Sequence, residues 1–123
     1  MNKILLDTNM LIYLLQGNAA VRELLEDKEW HISFINEMEL LMKPTLSGKE
    51  LQAIKALLNE CTIAEMNSRI KNKAIENGRS YSLKLADSII LATAQLANVP
   101  LLTADTEFKK ALQDEQKVLI YVP

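Results

Sequence analysis

The chain has 123 residues, a net charge of −2 and a composition that is 49% hydrophobic, so one domain with an aliphatic core is expected over residues 1–123. One Cys and one His exclude an internal disulfide, and they disfavour cysteine-based or multi-histidine metal sites and a Ser-His-Asp hydrolase. No apolar run approaches the ~20 residues of a membrane span and no signal peptide is evident, so a cytoplasmic protein with no membrane partner is expected.

Predicted strands and helices alternate in the first half of the chain. In order, they are a strand at 4–7, helices at 10–16 and 20–28, a strand at 31–35, and helices at 36–43 and 48–59. Asn36 is the predicted N-cap of the helix that follows the second strand. Ser47 and Glu50 have the spacing of a capping box, which predicts the start of the helix at 48.

The second half of the chain continues this alternation. Its predicted elements are a strand at 61–64, helices at 68–77 and 83–97, a strand at 101–103, a helical turn at 107–113 and a strand at 118–122. Gly78 is the predicted C-terminal stop of the first of these helices, and Ser82 is the predicted N-cap of the second. Because no tight hairpin joins two strands, the sequence predicts an α/β fold, with a central, mainly parallel sheet of about four or five strands flanked by helices.

Three aspartates occupy positions where folding alone does not require an acid. Asp7 ends the first predicted strand, and Asp105 lies two residues beyond the strand at 101–103. Open α/β sheets place their ligand sites at the carboxyl ends of such strands. Asp87 lies on a long apolar helix, where a carboxylate needs a partner because burying an unpaired one is costly. The residues that share its helix face are Leu83, Ile90, Leu91 and Ala94.

A fourth acid follows the second strand, and helical periodicity alone leaves Glu37 and Glu39 as alternatives. Two carboxylates ~4 Å apart repel by about 4 kcal/mol at an effective dielectric near 20, so several converging at one sheet edge would require a cation between them. Mg²⁺ or Mn²⁺ is the predicted ion, because the site offers oxygen ligands only. Such ions typically serve phosphoryl chemistry.

Each acid taken alone also fits a purely structural role. Asp7 and Asp105 could cap helices, Asp87 could be a first-turn acid that the helix dipole favours, and Glu39 could be a solvated surface residue. The joint occurrence of all four acids favours the metal site over these separate roles. A group of basic residues also allows two interpretations, a phosphate-binding surface or a solvated helix face; it comprises Arg69, Lys71, Lys73, Arg79 and Lys84.

Four segments carry a resemblance to a known family. Residues 7–12 read Asp-Thr-Asn-Met-Leu-Ile, 33–40 contain Ser-x5-Glu-Leu, 85–94 contain Asp-x-x-Ile-x-Ala-x-Ala, and 102–108 read Leu-Thr-Ala-Asp-Thr-Glu-Phe. In this order and at this spacing, they resemble the motifs of PIN-domain ribonucleases. The resemblance covers almost the whole chain, and its size and motif style are most similar to VapC-like toxins of type II toxin–antitoxin pairs.

This resemblance implies a function and a set of site residues. The metal-binding, catalytic residues it implies are Asp7, Glu39, Asp87 and Asp105. The motif thus favours Glu39 over Glu37. Asn9 and Thr103 would be supporting polar residues, and an acid at the position of Glu107 contributes to the site in some members. The implied protein is a Mg²⁺- or Mn²⁺-dependent endoribonuclease that cleaves RNA, acts as a toxin, forms a homodimer and is silenced by a cognate antitoxin.

Two other classes of protein stay open on the sequence. A catalytically silent PIN-like module would bind RNA or a protein partner without cutting it. A phosphotransfer domain would use Asp7 as its nucleophile, but Asn9 stands where the D-x-D pattern of aspartate-nucleophile phosphatases has its second Asp.

Overall fold

A parallel β-sheet forms the centre of the protein in the computed structural model, which describes residues 2–115 and 117–123. Across the described residues its five strands are β1 (Lys3–Leu6), β2 (Glu29–Ser33), β3 (Thr62–Ala64), β4 (Leu101–Thr103) and β5 (Val118–Ile120). The order is β3-β2-β1-β4-β5, and every neighbouring pair is parallel. The predicted α/β class and parallel sheet are therefore confirmed.

Helices cover both faces of this sheet. In the described part of the chain they are α1 (Thr8–Leu15), α2 (Ala19–Leu25), α3 (Phe34–Leu41), α4 (Gly48–Asn59), α5 (Ser68–Tyr81), α6 (Leu85–Ala97) and a 3₁₀ helix (Thr106–Ala111). None of these helices has the length and hydropathy needed to cross a membrane.

The central strand β1 divides the core into two layers. Ile4, Leu5 and Leu6 are all buried, as expected of a strand covered on both faces. Successive strand residues point to opposite faces, so Ile4 and Leu6 join the cluster under α1 to α4, whereas Leu5 joins the cluster formed with α6. Helix α5 lies outside α6 and buries Ile70 and Ala74 against it. The carboxyl end of β1 is thus held rigidly from both sides.

Two predicted helix boundaries between α5 and α6 were wrong. Helix α5 passes through Gly78 and ends at Tyr81, and Ser82 is its C-cap, with a left-handed φ of 54°. Ser82 is therefore not the N-cap of α6, which begins at Leu85 after Lys84 without a side-chain cap. Gly78 has a packing role, because a Cβ there would lie 3.3 Å from the Ser88 hydroxyl on α6. The glycine allows α6 to approach α5 closely.

The N-cap of α3 lies one helical turn before the predicted residue, Asn36. Ser33 is the N-cap, and Asn36 completes a capping box as the third residue of the helix. The predicted capping box of Ser47 and Glu50 at the start of α4 is confirmed. Strand β1 ends at Leu6, so Asp7 is the N-cap of α1 and not the last strand residue. The other element ends differ from the prediction by no more than three residues.

Candidate metal centre

The fold brings two of the predicted acids to the carboxyl ends of adjacent strands. Asp7 directly follows β1, and Asp105 lies two residues after β4, which is the neighbour of β1 in the sheet. The strand order reverses between β1 and β4, since β2 and β3 lie on one side and β5 on the other. Open α/β sheets bind their ligands at such a switch point. The sheet topology therefore marks this edge as the site.

Asp7 is buried and held by three donors. Its Oδ1 accepts a hydrogen bond from the Thr8 N–H at 2.8 Å, and its Oδ2 accepts one from the Thr103 hydroxyl at 2.6 Å. Asn9 Nδ2 lies 3.4 Å from the same Oδ2. Burial nevertheless raises the pKa of Asp7 above its ordinary value, and the charges of Glu39 and Asp105 raise it further. The carboxylate is fixed in position while its charge is destabilised.

Asp105 is joined to Asp7 through shared polar neighbours. The Asp105 N–H donates to the Thr103 hydroxyl oxygen at 2.9 Å, and Asn9 Oδ1 accepts from the Ala104 N–H at 3.0 Å. The predicted supporting residues Asn9 and Thr103 thus connect the turn after β1 with the turn after β4. Asp105 also has the predicted structural role, because its Oδ1 accepts the Glu107 N–H at 2.9 Å as the cap of the 3₁₀ helix.

Asp87 lies in the first turn of α6 and is half-buried. Desolvation is the largest cause that raises the pKa of Asp87, and together with repulsion by Asp105, Asp7 and Glu39 it brings this pKa to about 6. Lys84 opposes this rise. The four predicted acids therefore act on one another electrostatically, although they come from four separate segments of the chain.

Glu39 reaches the site from α3 and is exposed to solvent. Its Oε1 accepts a hydrogen bond from the Thr8 hydroxyl at 2.6 Å. The glutamate whose charge raises the pKa of Asp7 and of Asp87 is Glu39, not Glu37. The structure thus places Glu39, the residue that the motif favoured, beside the aspartates.

Glu107 has a different partner. Its carboxylate forms an ion pair with Lys110 at 2.9 Å, and this hydrogen bond is the largest cause of the lowered pKa of Glu107. Lys84 lowers it further. Only the backbone N–H of Glu107 reaches the acidic group, through Asp105.

The acidic group offers oxygen ligands that suit a hard divalent cation. The neighbouring carboxylates raise the pKa of Asp7 and of Asp87, so a cation among them would offset both this repulsion and the desolvation of the two aspartates. Within residues 2–115 and 117–123, no three His, Cys, Asp or Glu side chains are already arranged to hold a metal ion. Asp7, the most buried of the four, is held by the most hydrogen bonds.

One residue that contacts the acids, Thr8, and one residue that contacts Thr8, Asn36, were not predicted as site residues. Thr8 donates to Asp7 with its backbone and to Glu39 with its hydroxyl, and Asn36 donates to the Thr8 hydroxyl oxygen at 3.0 Å. Thr8 belongs to the Asp-Thr-Asn segment, so the sequence contained a signal for it. Asn36 was interpreted only as a helix cap, and its second contact depends on how α3 packs beside α1.

The parallel sheet and the acidic group at its switch point can now be compared with known protein families. The sequence model of the PIN domain family matches residues 4–112. The chain therefore belongs to the PIN domain family.

Several solved structures contain a chain with a similar fold. A toxin–antitoxin complex from Klebsiella pneumoniae contains a chain that is 34% identical, with a TM-score of 0.76, and the match covers 85% of this chain and 89% of that one. VapBC2 from Rickettsia felis, bound to a promoter DNA fragment, matches at 18% identity and a TM-score of 0.77 over 97% of both chains. FitAcB from Neisseria gonorrhoeae matches at 24% identity and a TM-score of 0.76, over 97% of this chain and 96% of that one.

The latter two likenesses are below 25% identity and show the fold alone. A comparison with curated proteins gave no match. The resemblance to PIN-domain proteins of toxin–antitoxin pairs is thus confirmed in family and in fold.

Proposed function

We propose that this PIN domain is a metal-dependent endoribonuclease that acts as the toxin of a toxin–antitoxin pair. The observation that carries the proposal is the group of four acids at the switch point of the sheet, in which the charges of its neighbours raise the pKa of Asp7 and of Asp87. Such a group is costly to maintain without a function, because burial and the neighbouring charges destabilise the ionised forms of Asp7 and Asp87. The acids that would hold the ion are Asp7, Glu39, Asp87 and Asp105.

A Mg²⁺ or Mn²⁺ ion bound there would polarise a phosphate and activate water for phosphodiester hydrolysis. The residues of the chain supply the positioning. The Thr103 hydroxyl and the Thr8 N–H hold the two oxygens of Asp7. The Glu107 N–H donates to Asp105 Oδ1, and this hydrogen bond holds the Asp105 carboxylate in place. Asp87, with its pKa raised to about 6, gains most from a cation.

RNA is the proposed substrate, and Lys84 is the basic residue best placed to meet its backbone. Lys84 precedes α6 and is exposed, and its charge lowers the pKa of both Asp87 and Glu107. Arg69, Lys71 and Arg79 are exposed on α5, and Lys73 forms an ion pair with Glu76. A phosphate chain entering the acidic group would pass Lys84, and this local positive charge suits a nucleic acid.

An antitoxin is the proposed protein partner, and a groove beside the site suits one of its segments. A cavity of about 330 Å³ lies between α1, α3 and α4. Its apolar lining comprises Ile12, Leu15, Leu40, Leu46, Ala53 and Ile54, and Thr8 and Glu39 form its end next to the acids. An apolar antitoxin segment in this groove would lie next to Glu39 and block access to the acidic group. The chain that matches at 34% identity comes from a toxin–antitoxin complex, which supports this choice of occupant.

A homodimer and a cytoplasmic location belong to the same proposal. The homodimer is implied by the family resemblance, whereas the cytoplasmic location is an expectation from the sequence. Sedimentation of the purified protein would test the first, and fractionation of the expressing cell would test the second. A monomer at micromolar concentration would contradict the first.

Cleavage of RNA by purified variants tests the proposed activity. We expect Asp7→Asn and Asp87→Asn to lose Mg²⁺-dependent cleavage by at least a hundredfold, because each removes a charge from the acidic group. The matched control is Asp27→Asn, which neutralises an exposed acid that forms an ion pair with its neighbour Lys28. Full cleavage by the first two variants, with their circular dichroism unchanged, would contradict the proposal.

The second candidate is a PIN module that binds RNA or protein without cutting it. The specific observation in its favour is that the acids of the described residues do not yet form a metal-holding group. Titration with millimolar Mn²⁺ separates the two functions. A silent module would bind RNA equally well with and without the ion.

A further inference from the structure

A chain of three hydrogen bonds connects a buried backbone amide to the exposed carboxylate of Glu39. The Ser33 N–H donates to Asn36 Oδ1 at 2.8 Å, and Asn36 Nδ2 donates to the Thr8 hydroxyl oxygen at 3.0 Å. The Thr8 hydroxyl then donates to Glu39 Oε1 at 2.6 Å. Asn36 is fully buried, whereas Glu39 lies in solvent.

The direction of every bond in this chain follows from the groups at its two ends. A backbone N–H can only donate, so the carbonyl oxygen of Asn36 must face Ser33. The amide NH₂ of Asn36 must then face Thr8. Its proton occupies a lone pair of the Thr8 hydroxyl, which leaves the hydroxyl proton to point at Glu39. The Ser33 N–H thus fixes the orientation of Asn36, and the carboxylate of Glu39, which can only accept, fixes Thr8 as its donor.

Capping of α3 does not explain this use of Asn36. The capping box requires only an acceptor on the third helical residue, which Glu or Gln usually provides. The Asn36 Oδ1 meets that requirement by itself. Its NH₂ group is not needed by the cap, and it bonds a residue of another helix, 28 positions earlier in the chain.

We propose that Asn36 and Thr8 are positioning residues that hold Glu39 in place for metal binding. Thr8 holds two of the four acids at once, because its N–H binds Asp7 and its hydroxyl binds Glu39. The hydroxyl occupies Oε1 of Glu39 and leaves Oε2 available to an ion. This inference rests on the proposed metal-dependent function for its purpose, but the ordering of Glu39 can be measured without any metal.

The first experiment measures that ordering in the metal-free protein. Side-chain ¹³C relaxation of Glu39 is compared in the wild type, Thr8→Val and Thr8→Ser, all in excess chelator. Valine keeps the shape of threonine and removes the donor, whereas serine retains it. We expect a rigid Glu39 in the wild type and Thr8→Ser, and a mobile one in Thr8→Val. An equally rigid Glu39 in Thr8→Val would overturn the proposal.

The second experiment measures Mn²⁺ binding by calorimetry. Loss of a residue that orients a metal ligand typically weakens binding 10–100-fold, so Thr8→Val should bind Mn²⁺ about tenfold more weakly and Thr8→Ser nearly as well as the wild type. In a Glu39→Ala background the same change should have less than about a twofold effect. The matched control is Thr93→Val, because Thr93 is a buried threonine whose hydroxyl donates to the Ile89 carbonyl within α6. Tenfold weaker binding by Thr8→Val in the Glu39→Ala background as well would contradict a role through Glu39.

Asn36→Asp tests the first part of the chain. An ionised carboxylate at this position still accepts the Ser33 N–H but cannot donate, so the Thr8 hydroxyl would turn towards it and release Glu39. In a folded Asn36→Asp protein, Glu39 should therefore be as mobile as in Thr8→Val. A rigid Glu39 in this variant would overturn the role of Asn36.

The positioning proposal and the metal-dependent function can fail separately. If the wild type binds no Mn²⁺ but Glu39 loses its order in Thr8→Val, the positioning contacts stand and the metal-dependent function does not.

Discussion

At the scale of single residues, the acidic group combines one fixed acid with others that are less constrained. Asp7 is buried, and two donors within 2.8 Å hold its two oxygens. Asp87 is half-buried, and its pKa is raised to about 6 by desolvation and by the neighbouring carboxylates. A group with this electrostatic balance should be less stable when empty than when it binds a cation. This expectation can be tested at Asp87, where the pKa is raised most clearly.

We predict that Asp87→Asn stabilises the metal-free protein at neutral pH. The carboxyl has a pKa of about 6 when folded and 3.8 as its model value, so the folded state holds the proton more tightly. The stability of the wild type relative to the variant should therefore fall as the pH rises from about 4 to 6, and stay lower above that range. Because the group is half-exposed, we expect a gain of about 1 kcal/mol at pH 7.

Urea unfolding at several pH values in excess chelator measures this difference. The exposed variant Asp27→Asn is again the control. A variant that is less stable than the wild type at pH 7, or a difference that does not change between pH 4 and 6, would contradict the assigned environment of Asp87.

At the scale of elements, the contact between α5 and α6 determines where α6 presents Asp87. Gly78 on α5 leaves room for the Ser88 hydroxyl, which donates to the Leu83 carbonyl at 3.3 Å. Asn77, also on α5, donates to Gln95 of α6 at 2.9 Å and to the Ser88 carbonyl at 3.3 Å. The first turn of α6 is thereby held against α5 next to the acidic group.

We predict that the effect of Gly78→Ala changes sign with the residue at position 88. Alanine in a helix gains roughly 1 kcal/mol over glycine, but overpacking typically costs about 1–3 kcal/mol. A Cβ at 3.3 Å from the Ser88 hydroxyl should therefore make Gly78→Ala destabilising in the wild type. In a Ser88→Ala background the same change should stabilise by about 1 kcal/mol.

A double-mutant cycle by chemical denaturation measures both effects. Gly48→Ala is the matched control, since a Cβ at Gly48 in the first turn of α4 meets nothing within 4 Å. Its effect should be the same in both backgrounds. A stabilising effect of Gly78→Ala in the wild type would contradict this prediction, because it would show that α6 can move away without a cost in the free energy of unfolding.

At the scale of the whole molecule, the site joins segments that are far apart in the chain. The acids come from the turn after β1, from α3, from α6 and from the turn after β4. An ion bound by all four would connect both helical layers to the sheet. Its binding free energy would add to the stability of the entire fold.

We predict that Mg²⁺ raises the stability of the wild type and has little effect on Asp105→Asn. A ligand that binds only the folded state at a hundred times its Kd stabilises by about 2.7 kcal/mol. Calorimetric melting with and without saturating Mg²⁺ measures the shift in Tm, and equal ionic strength from NaCl excludes simple screening. An equal shift in Asp105→Asn would show that the ion binds elsewhere.

The sequence by itself determined the class of fold and the order of the elements, and it predicted which acids form the candidate site. Periodicity and capping are local properties, so they located most helices and strands to within three residues. They were wrong at Gly78, which packs against Ser88 of another helix, at Ser82, which is the left-handed C-cap of α5, and at Asn36, which lies one turn inside α3. The same limit left Glu37 and Glu39 equivalent until a family motif was considered.

Only the tertiary structure decided how these residues act on one another. The register of β1 beside β4 put the Thr103 hydroxyl on Asp7, across 96 positions of sequence. The packing of α3 beside α1 gave Asn36 a second hydrogen bond and turned Thr8 towards Glu39. Hydrogen bonds and charge repulsion act over a few ångströms of space, and no local pattern encodes which distant residues will meet at that range.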